Sequence, residues 1–209
     1  MELRDVFWIG GAPGAGKSTV ARRLTERYGL RLYVTDDVMG DHARRMSVGE
    51  APYLEQFQAM DMDERWLNRS PREMLETFHW FRGEGFRLIV EDLRAMTGTT
   101  PIVAEGFRLL PHLVMPIAGP GRAIWLLPTP QFHRAALDAR GSTWTIPNTT
   151  SDPPRARWNL EERNRLFTDR LARETGRTGA ATLWLDGTLT EAETLDRVAD
   201  RLGLSARAG

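Results

Sequence analysis

The chain has 209 residues, 41% of them hydrophobic, which suits one α/β domain with its own core. Its 28 basic and 28 acidic residues cancel, so no global field draws it to nucleic acid, and the lack of cysteine excludes disulfides, thiolate metal sites and Cys catalysis. No apolar run reaches membrane-spanning length, and Met1 to Asp5 lead straight into a strand-like run without a secretory leader, so a cytoplasmic protein with no membrane partner is expected.

In chain order, Val6-Phe7-Trp8-Ile9 is an apolar run bounded by Gly10-Gly11 and predicts a buried strand. Beyond the glycine-rich stretch, Val20, Ala21, Leu24 and Tyr28 recur at helical spacing until Gly29, a natural stop. Leu30 to Val34 reads as a second strand. Residues 50–62 and 71–81 read as helices, the latter with Ser70 as cap and Pro71 in its first turn. From Glu84 onward, Phe86, Ile89, Val90, Leu93 and Met96 keep helical spacing. Ile102-Val103-Ala104 predicts a third strand running into Glu105-Gly106, Ala123 to Leu127 a fourth, and Thr182 to Leu185 a fifth. Strands alternating with helices predict a parallel sheet covered on both faces, with residues 1–209 forming one domain.

One segment breaks the pattern. Gln131 to Ala139 and Asn159 to Thr175 read as helices, but residues 141–154 between them have neither period, and loops of that length in a compact domain tend to carry function. The flanking helices carry Arg134, Arg140, Arg155, Arg157 and Arg163, so a lid over about residues 140–157 is expected to close arginines over phosphates, whose oxygens the planar guanidinium binds bidentately. Arg155 and Arg157 are assigned to catalysis and Arg140 to the nucleotide. The bland alternative for each arginine is a solvated helix face.

The chain holds a single lysine. It is Lys17, within Gly11-Ala12-Pro13-Gly14-Ala15-Gly16-Lys17-Ser18, a complete G-x-x-x-x-G-K-[ST] phosphate-binding pattern, followed by Thr19. Every other basic residue is arginine, so lysine persists only where a compact ammonium on a flexible stem is wanted. The pattern lies between a predicted strand and a predicted helix. Its backbone N–H groups and the helix dipole can therefore cradle phosphates, with Lys17 reaching the β- and γ-phosphates and Ser18 meeting Mg²⁺.

With these elements in this order, the chain resembles the P-loop kinase group that includes nucleoside monophosphate kinases, shikimate and gluconate kinases, chloramphenicol phosphotransferase, zeta toxins and the kinase domain of polynucleotide kinases. The likeness spans essentially the whole chain in element order, with Gly11 to Ser18 its one highly specific motif. It implies a P-loop NTPase three-layer sandwich with a five-stranded parallel sheet and a helical lid, ATP as donor, Mg²⁺, and transfer to a hydroxyl. Many of these families place an acidic residue after the second strand to receive the acceptor proton; here Thr35-Asp36-Asp37 stands there. Asp36 is the first choice as base and Asp37 the second, the other being expected to cap the helix carrying Val38, His42 and Met46.

The remaining assignments follow from position. Glu105 closes the third strand and can hold the metal's water shell or a substrate hydroxyl, a conventional Walker B aspartate being absent. Arg44, after the aspartate pair, is placed on a substrate anion. The four histidines show no metal-ligand spacing. Trp66, Trp80, Trp144 and Trp158 are candidates to wall an acceptor pocket; outside the lid the core is the expected place, while Trp144, among polar lid residues, is placed against the acceptor.

No nucleoside monophosphate kinase signature follows the second strand, so the acceptor is read as a nucleoside-like, sugar-like or antibiotic alcohol, as for chloramphenicol phosphotransferase. Two alternatives remain: a nucleotide-binding resistance or switch protein that sequesters a ligand, and a polynucleotide 5′-hydroxyl kinase. A homodimer is left open.

Overall fold

The structure, a computed structural model, describes residues 3–47, 49–96, 98–140 and 145–204. After a short turn of 3-10 helix at Leu3–Asp5, strand β1 (Val6–Gly11) enters the middle of the molecule with all six residues buried. Helix α1 (Lys17–Tyr28) follows and ends at Gly29, then β2 (Arg31–Val34). Strands β3 (Ile102–Glu105), β4 (Ala123–Pro128) and β5 (Ala181–Leu185) complete a five-stranded sheet in the order β2-β3-β1-β4-β5, every pairing parallel.

Side-chain alternation along β1 builds the two cores. Val6 and Trp8 point into one, with Ala123, Trp125 and Leu127 of β4; Phe7 and Ile9 point into the other, with Ile124 and Leu126. A central strand apolar on both faces requires helices on both sides. One side is covered by α1 and the C-terminal α11 (Glu191–Arg201), through Leu24, Leu195 and Val198. The other is covered by α7 (Phe86–Ala95) and the long α10 (Pro153–Thr178), whose Phe167 ring stacks on Phe81 at 3.7 Å.

Local signals divide or extend several predicted helices. Residues 50–62 form two, α3 (Pro52–Ala59) and α4 (Met62–Trp66), because Asp61 and Glu64 make a capping box that starts a new helix. Residues 71–81 likewise divide into α5 (Pro71–Thr77), capped by Ser70, and α6 (His79–Arg82), where Phe78 turns extended. Helix α10 begins at Pro153, ahead of the predicted Asn159, because Asp152 caps it and the two prolines occupy its first turn. Helices α8 (Pro111–Val114) and α11 went unpredicted, although Thr190 and Glu193 form a legible capping box. Helix α2 (Met39–Arg45) starts at Val38 with no side-chain cap, so neither Asp36 nor Asp37 serves as the expected cap. Helix α9 (Pro130–Arg140) leads toward the expected lid segment. Among the described residues no helix is long and apolar enough to cross a membrane.

Candidate active site

Gly11 ends β1 and Lys17 begins α1, so the phosphate-binding sequence forms the turn between them. Gly16, the residue before α1, has φ 68 and ψ 10, while a Cβ there would meet nothing within 4 Å. Its requirement for glycine is conformational, as expected of a loop whose N–H groups converge on an anion. Lys17 is 7% exposed and its Nζ donates to Ala12 O at 2.8 Å, which holds the ammonium over the loop.

Two carboxylates reach the same edge of the sheet. Glu105 is in register with Ile9 of β1 and Val34 of β2, and Thr35 N donates to Glu105 O at 2.9 Å. Gly106, at φ 150, lies so close to Thr35 that any Cβ would overlap its hydroxyl. The ends of β2 and β3 therefore meet tightly and set Asp36 and Glu105 beside the loop, at the carboxyl edge where open parallel sheets gather ligands. Glu105 is 2% exposed; burial pushes its pKa above the ordinary glutamate value, with Lys17 and a hydrogen bond with Ser18 opposing. Asp36 opens to solvent but sits within the cleft walls. Desolvation there raises its pKa too, against Lys17 and a hydrogen bond from Thr35 Oγ1 at 3.2 Å.

Lys17, Ser18, Asp36 and Glu105 line one cavity of about 410 Å³. Its opposite wall is aromatic. Phe57 meets Trp66 edge-on at 5.2 Å and Phe78 at 5.4 Å, and Phe78 stacks with Phe107 at 6.4 Å. His79, also on the wall, has its pKa pushed down to about 3, chiefly by burial, with Arg108 and Arg65 adding. Arg163 of α10 and its neighbour Asn164 also line the cavity; burial, with Arg69 adding, lowers the Arg163 pKa to about 9. A second cavity of about 140 Å³ lies on the other flank of the loop. It shares Gly16 and Thr19 with the first and is walled by Phe132, Leu185 and Leu189, with Arg23, Asp186 and Glu191 also lining it.

Among the sequence-derived candidates, Pro13, Gly14, Gly16, Lys17, Ser18, Thr19, Asp36 and Glu105 share the larger cavity. Asp37 is exposed and off its wall, and Arg44 is exposed and paired with Asp41 at 3.5 Å. Arg155 and Arg157 lie on the solvent side of α10, where Arg157 binds Glu161 at 2.8 Å and Asp138 at 3.1 Å. The Arg140 side chain and Trp144 fall outside the described residues. Trp66 and Trp80 are buried and line the cavity, whereas Trp158 is 60% exposed. Within the segment expected to form a lid, Ile146 reaches the cavity, and Ser151 donates its N–H at 2.8 Å and its hydroxyl to the Asp63 carboxylate. Trp66 and Trp80 are candidates for such a wall in the sequence, but the places of Phe57, Phe78, Phe107 and Arg163 on it are invisible to motif reading, since the wall is assembled from α3, α4, α6 and α10.

Among the described residues no group of three or more His, Cys, Asp or Glu side chains could hold a metal by itself. The Ser18 hydroxyl beside the buried Glu105 carboxylate nonetheless gives a hard-oxygen pair suited to Mg²⁺ completed by phosphate and water ligands.

A family model described as an AAA domain matches residues 10–86, the stretch from the end of β1 into α7. No curated protein matches the chain. Two solved structures align along nearly its whole length. One is a deoxyadenosine kinase from M. mycoides with bound dATP (12% identity, TM-score 0.50, 95% of this chain and 99% of that one). The other is an uncharacterized protein from Eubacterium ventriosum ATCC 27560 (14% identity, TM-score 0.51, 98% and 99%). Likeness at these identities is a statement about fold. The five-stranded parallel sheet, its strand order and the phosphate loop after the central strand give this chain the P-loop kinase fold.

Proposed function

We propose that the protein is an ATP-dependent phosphotransferase acting on a hydroxyl of a small molecule. The observation that carries this reading is the convergence of Lys17, Ser18, Asp36 and Glu105 on one cavity that is large enough for an acceptor and bordered by a separate, smaller cavity. The donor's base occupies the smaller cavity beside Phe132 and its phosphates follow the loop. The acceptor oxygen attacks the γ-phosphorus, a new P–O bond forms as the β–γ bridge bond breaks, ADP leaves, and the acceptor proton passes to Asp36. Lys17 meets the charge that develops on the bridging and γ oxygens. Ser18, with the Glu105 carboxylate hydrogen-bonded to it, would hold Mg²⁺, which would supply charge neutralisation on the phosphates. Arg155 and Arg157 serve the phosphates when the lid closes, exchanging their present carboxylate or solvent contacts for them.

The aromatic wall favours a ring-bearing acceptor, nucleoside-like or an antibiotic alcohol, over an open-chain sugar alcohol. The deoxyadenosine kinase neighbour, which shares the fold, fits the nucleoside side of that choice. The test is a transfer assay with γ-labelled ATP and Mg²⁺ across nucleosides, sugars and antibiotic alcohols, run beside Asp36→Asn. Label on an acceptor, lost in the variant, is the expected result. Ligand binding with no transfer favours the sequestering alternative, whereas label that survives Asp36→Asn means that Asp36 is not the base.

A further inference from the structure

Two deeply buried polar atoms on the walls of the larger cavity have no hydrogen-bond partner among the described residues. Arg163 Nε and Nη2 both donate to Asn164 Oδ1, at 3.3 and 2.9 Å, but Nη1 makes no hydrogen bond, although the residue is only 7% exposed. His79, 2% exposed, likewise leaves Nδ1 unpartnered. Both residues line the same cavity as Asp36 and Lys17.

The two differ in what they demand. A guanidinium only donates, and Arg163 is a full positive charge with no carboxylate paired to it among the described residues. Its nearest charged influence is Arg69, of the same sign. The rings of Trp66, Phe78 and Phe81, each 5.2 to 5.3 Å from the guanidinium carbon, soften its burial without satisfying Nη1. Buried polar atoms left unsatisfied cost stability, and a folded protein retains them where a ligand completes them. His79 is neutral there and offers one hydrogen-bonding nitrogen of either sense.

We propose that the acceptor is a small ring-bearing alcohol that also carries an anionic group, a carboxylate or a phosphate monoester, which takes Arg163 Nη1. Its ring lies along Phe57, Phe78 and Phe107, a polar substituent meets His79 Nδ1, and its hydroxyl is left facing Asp36. This rests on the larger cavity being the acceptor site of a kinase.

The experiment measures binding without nucleotide, by calorimetry and thermal shift. The probes are hydroxymethyl-arenes and nucleosides, each in matched neutral, carboxylate and phosphate-monoester forms; para-hydroxymethylbenzoate and para-hydroxymethylphenyl phosphate are two of them. The expected result is that the anionic members bind roughly ten- to a hundredfold tighter than their neutral partners. The carboxylate and phosphate arms show which anion is read. That preference should vanish in Arg163→Met, while His79→Phe weakens neutral and anionic members alike. If Arg163→Met does not fold, Arg163→Lys replaces it, keeping the charge but not the fork, and should lose most of the preference. Neutral members binding as well as anionic ones, no anionic member binding, or an anionic preference intact in both Arg163 variants would overturn the proposal. So would Arg163→Met weakening a nonhydrolysable ATP analogue while sparing the anionic probes, since Arg163 would then serve the donor. Anionic alcohols that bind through Arg163 but are never phosphorylated would leave the pocket assignment standing and remove the kinase reading alone.

Discussion

Arg108 Nη2 stands 2.9 Å from His42 Nδ1, and because a guanidinium has no acceptor, that contact fixes the tautomer of the histidine. His42 Nδ1 must accept, so its proton is on Nε2, which donates to Asp92 Oδ2 at 2.7 Å. Arg108 also donates to Thr35 O at 3.2 Å and lies 3.9 Å over the ring of Trp80. One buried cation thus ties the strand end that presents Asp36 to the aromatic wall of the larger cavity.

The same relationship sets a pH dependence. Burial lowers the pKa of His42, with Arg108 contributing, and pushes that of His79 down to about 3. In both cases the unfolded chain, titrating near 6.5, binds more protons than the native one below that pH, so stability is full above about 6.5 and falls as the pH drops. Urea melts between pH 7.5 and 5 should show a falling midpoint. In His79→Phe one proton's share of the slope, about 1.4 kcal/mol per pH unit, should be missing. Equal slopes in the two proteins would mean that His79 is protonated in the native state.

Lys17→Ala should lower transfer by a factor of about a hundred to a thousand or more, the loss typical of removing a preorganised charge from a transition state. Its Nζ is anchored on Ala12 O, so part of the loss is loop disorder. Lys17→Arg separates the two effects, retaining charge without the compact ammonium, and should recover little activity. Turnover of Lys17→Ala within tenfold of the wild type would remove the kinase reading.

What a reader of the sequence could see follows the range of the interactions. The run from Val6 to Tyr28 is legible because strand period, glycine-rich turn and helix period all lie within one short stretch and agree. The breaks at Asp61 and Phe78 are harder. Asp61 and Glu64 form a capping box open to inspection, but Phe78 leaves the helical path so that its ring can meet Phe57, Trp66 and Phe107, contacts that exist only after folding. Asp36 was placed by its position after β2, whereas Arg163 looks like one more arginine on a charged helix until burial singles it out.

Ser151 is bonded to Asp63 through both its N–H and its hydroxyl, which ties the expected lid segment to α4 and lowers the Asp63 pKa. A nonhydrolysable ATP analogue with Mg²⁺ should slow hydrogen exchange across residues 145–152, and Asp63→Ala should speed it without nucleotide. Exchange that responds to neither change would make this segment a fixed surface loop and leave Arg155 and Arg157 without a closing motion.

The last prediction separates the two aspartates. Both aspartates are exposed, but Asp36 lines the cavity with Lys17 and Ser18, whereas Asp37 does not line it and caps no helix. Asp36→Asn should therefore lower kcat by about two to four powers of ten, since asparagine keeps the shape but cannot take the acceptor proton. Its folding stability should hold or rise slightly, because the neutral amide removes a charge that desolvation within the cleft disfavours. Asp37→Asn should leave both kcat and the urea midpoint nearly unchanged, stability moving within about 0.5 kcal/mol as for a surface position. The wild-type profile gives an independent check. With its pKa raised by desolvation, Asp36 must lose its proton before it can act, so the acid limb of kcat/KM should lie above the ordinary aspartate value of 3.8 and disappear in Asp36→Asn. If Asp37→Asn abolishes turnover and Asp36→Asn does not, the Asp37 carboxylate swings in during closure and the roles are reversed. If neither substitution matters, the acceptor proton leaves by another route and the cavity's carboxylate serves the metal.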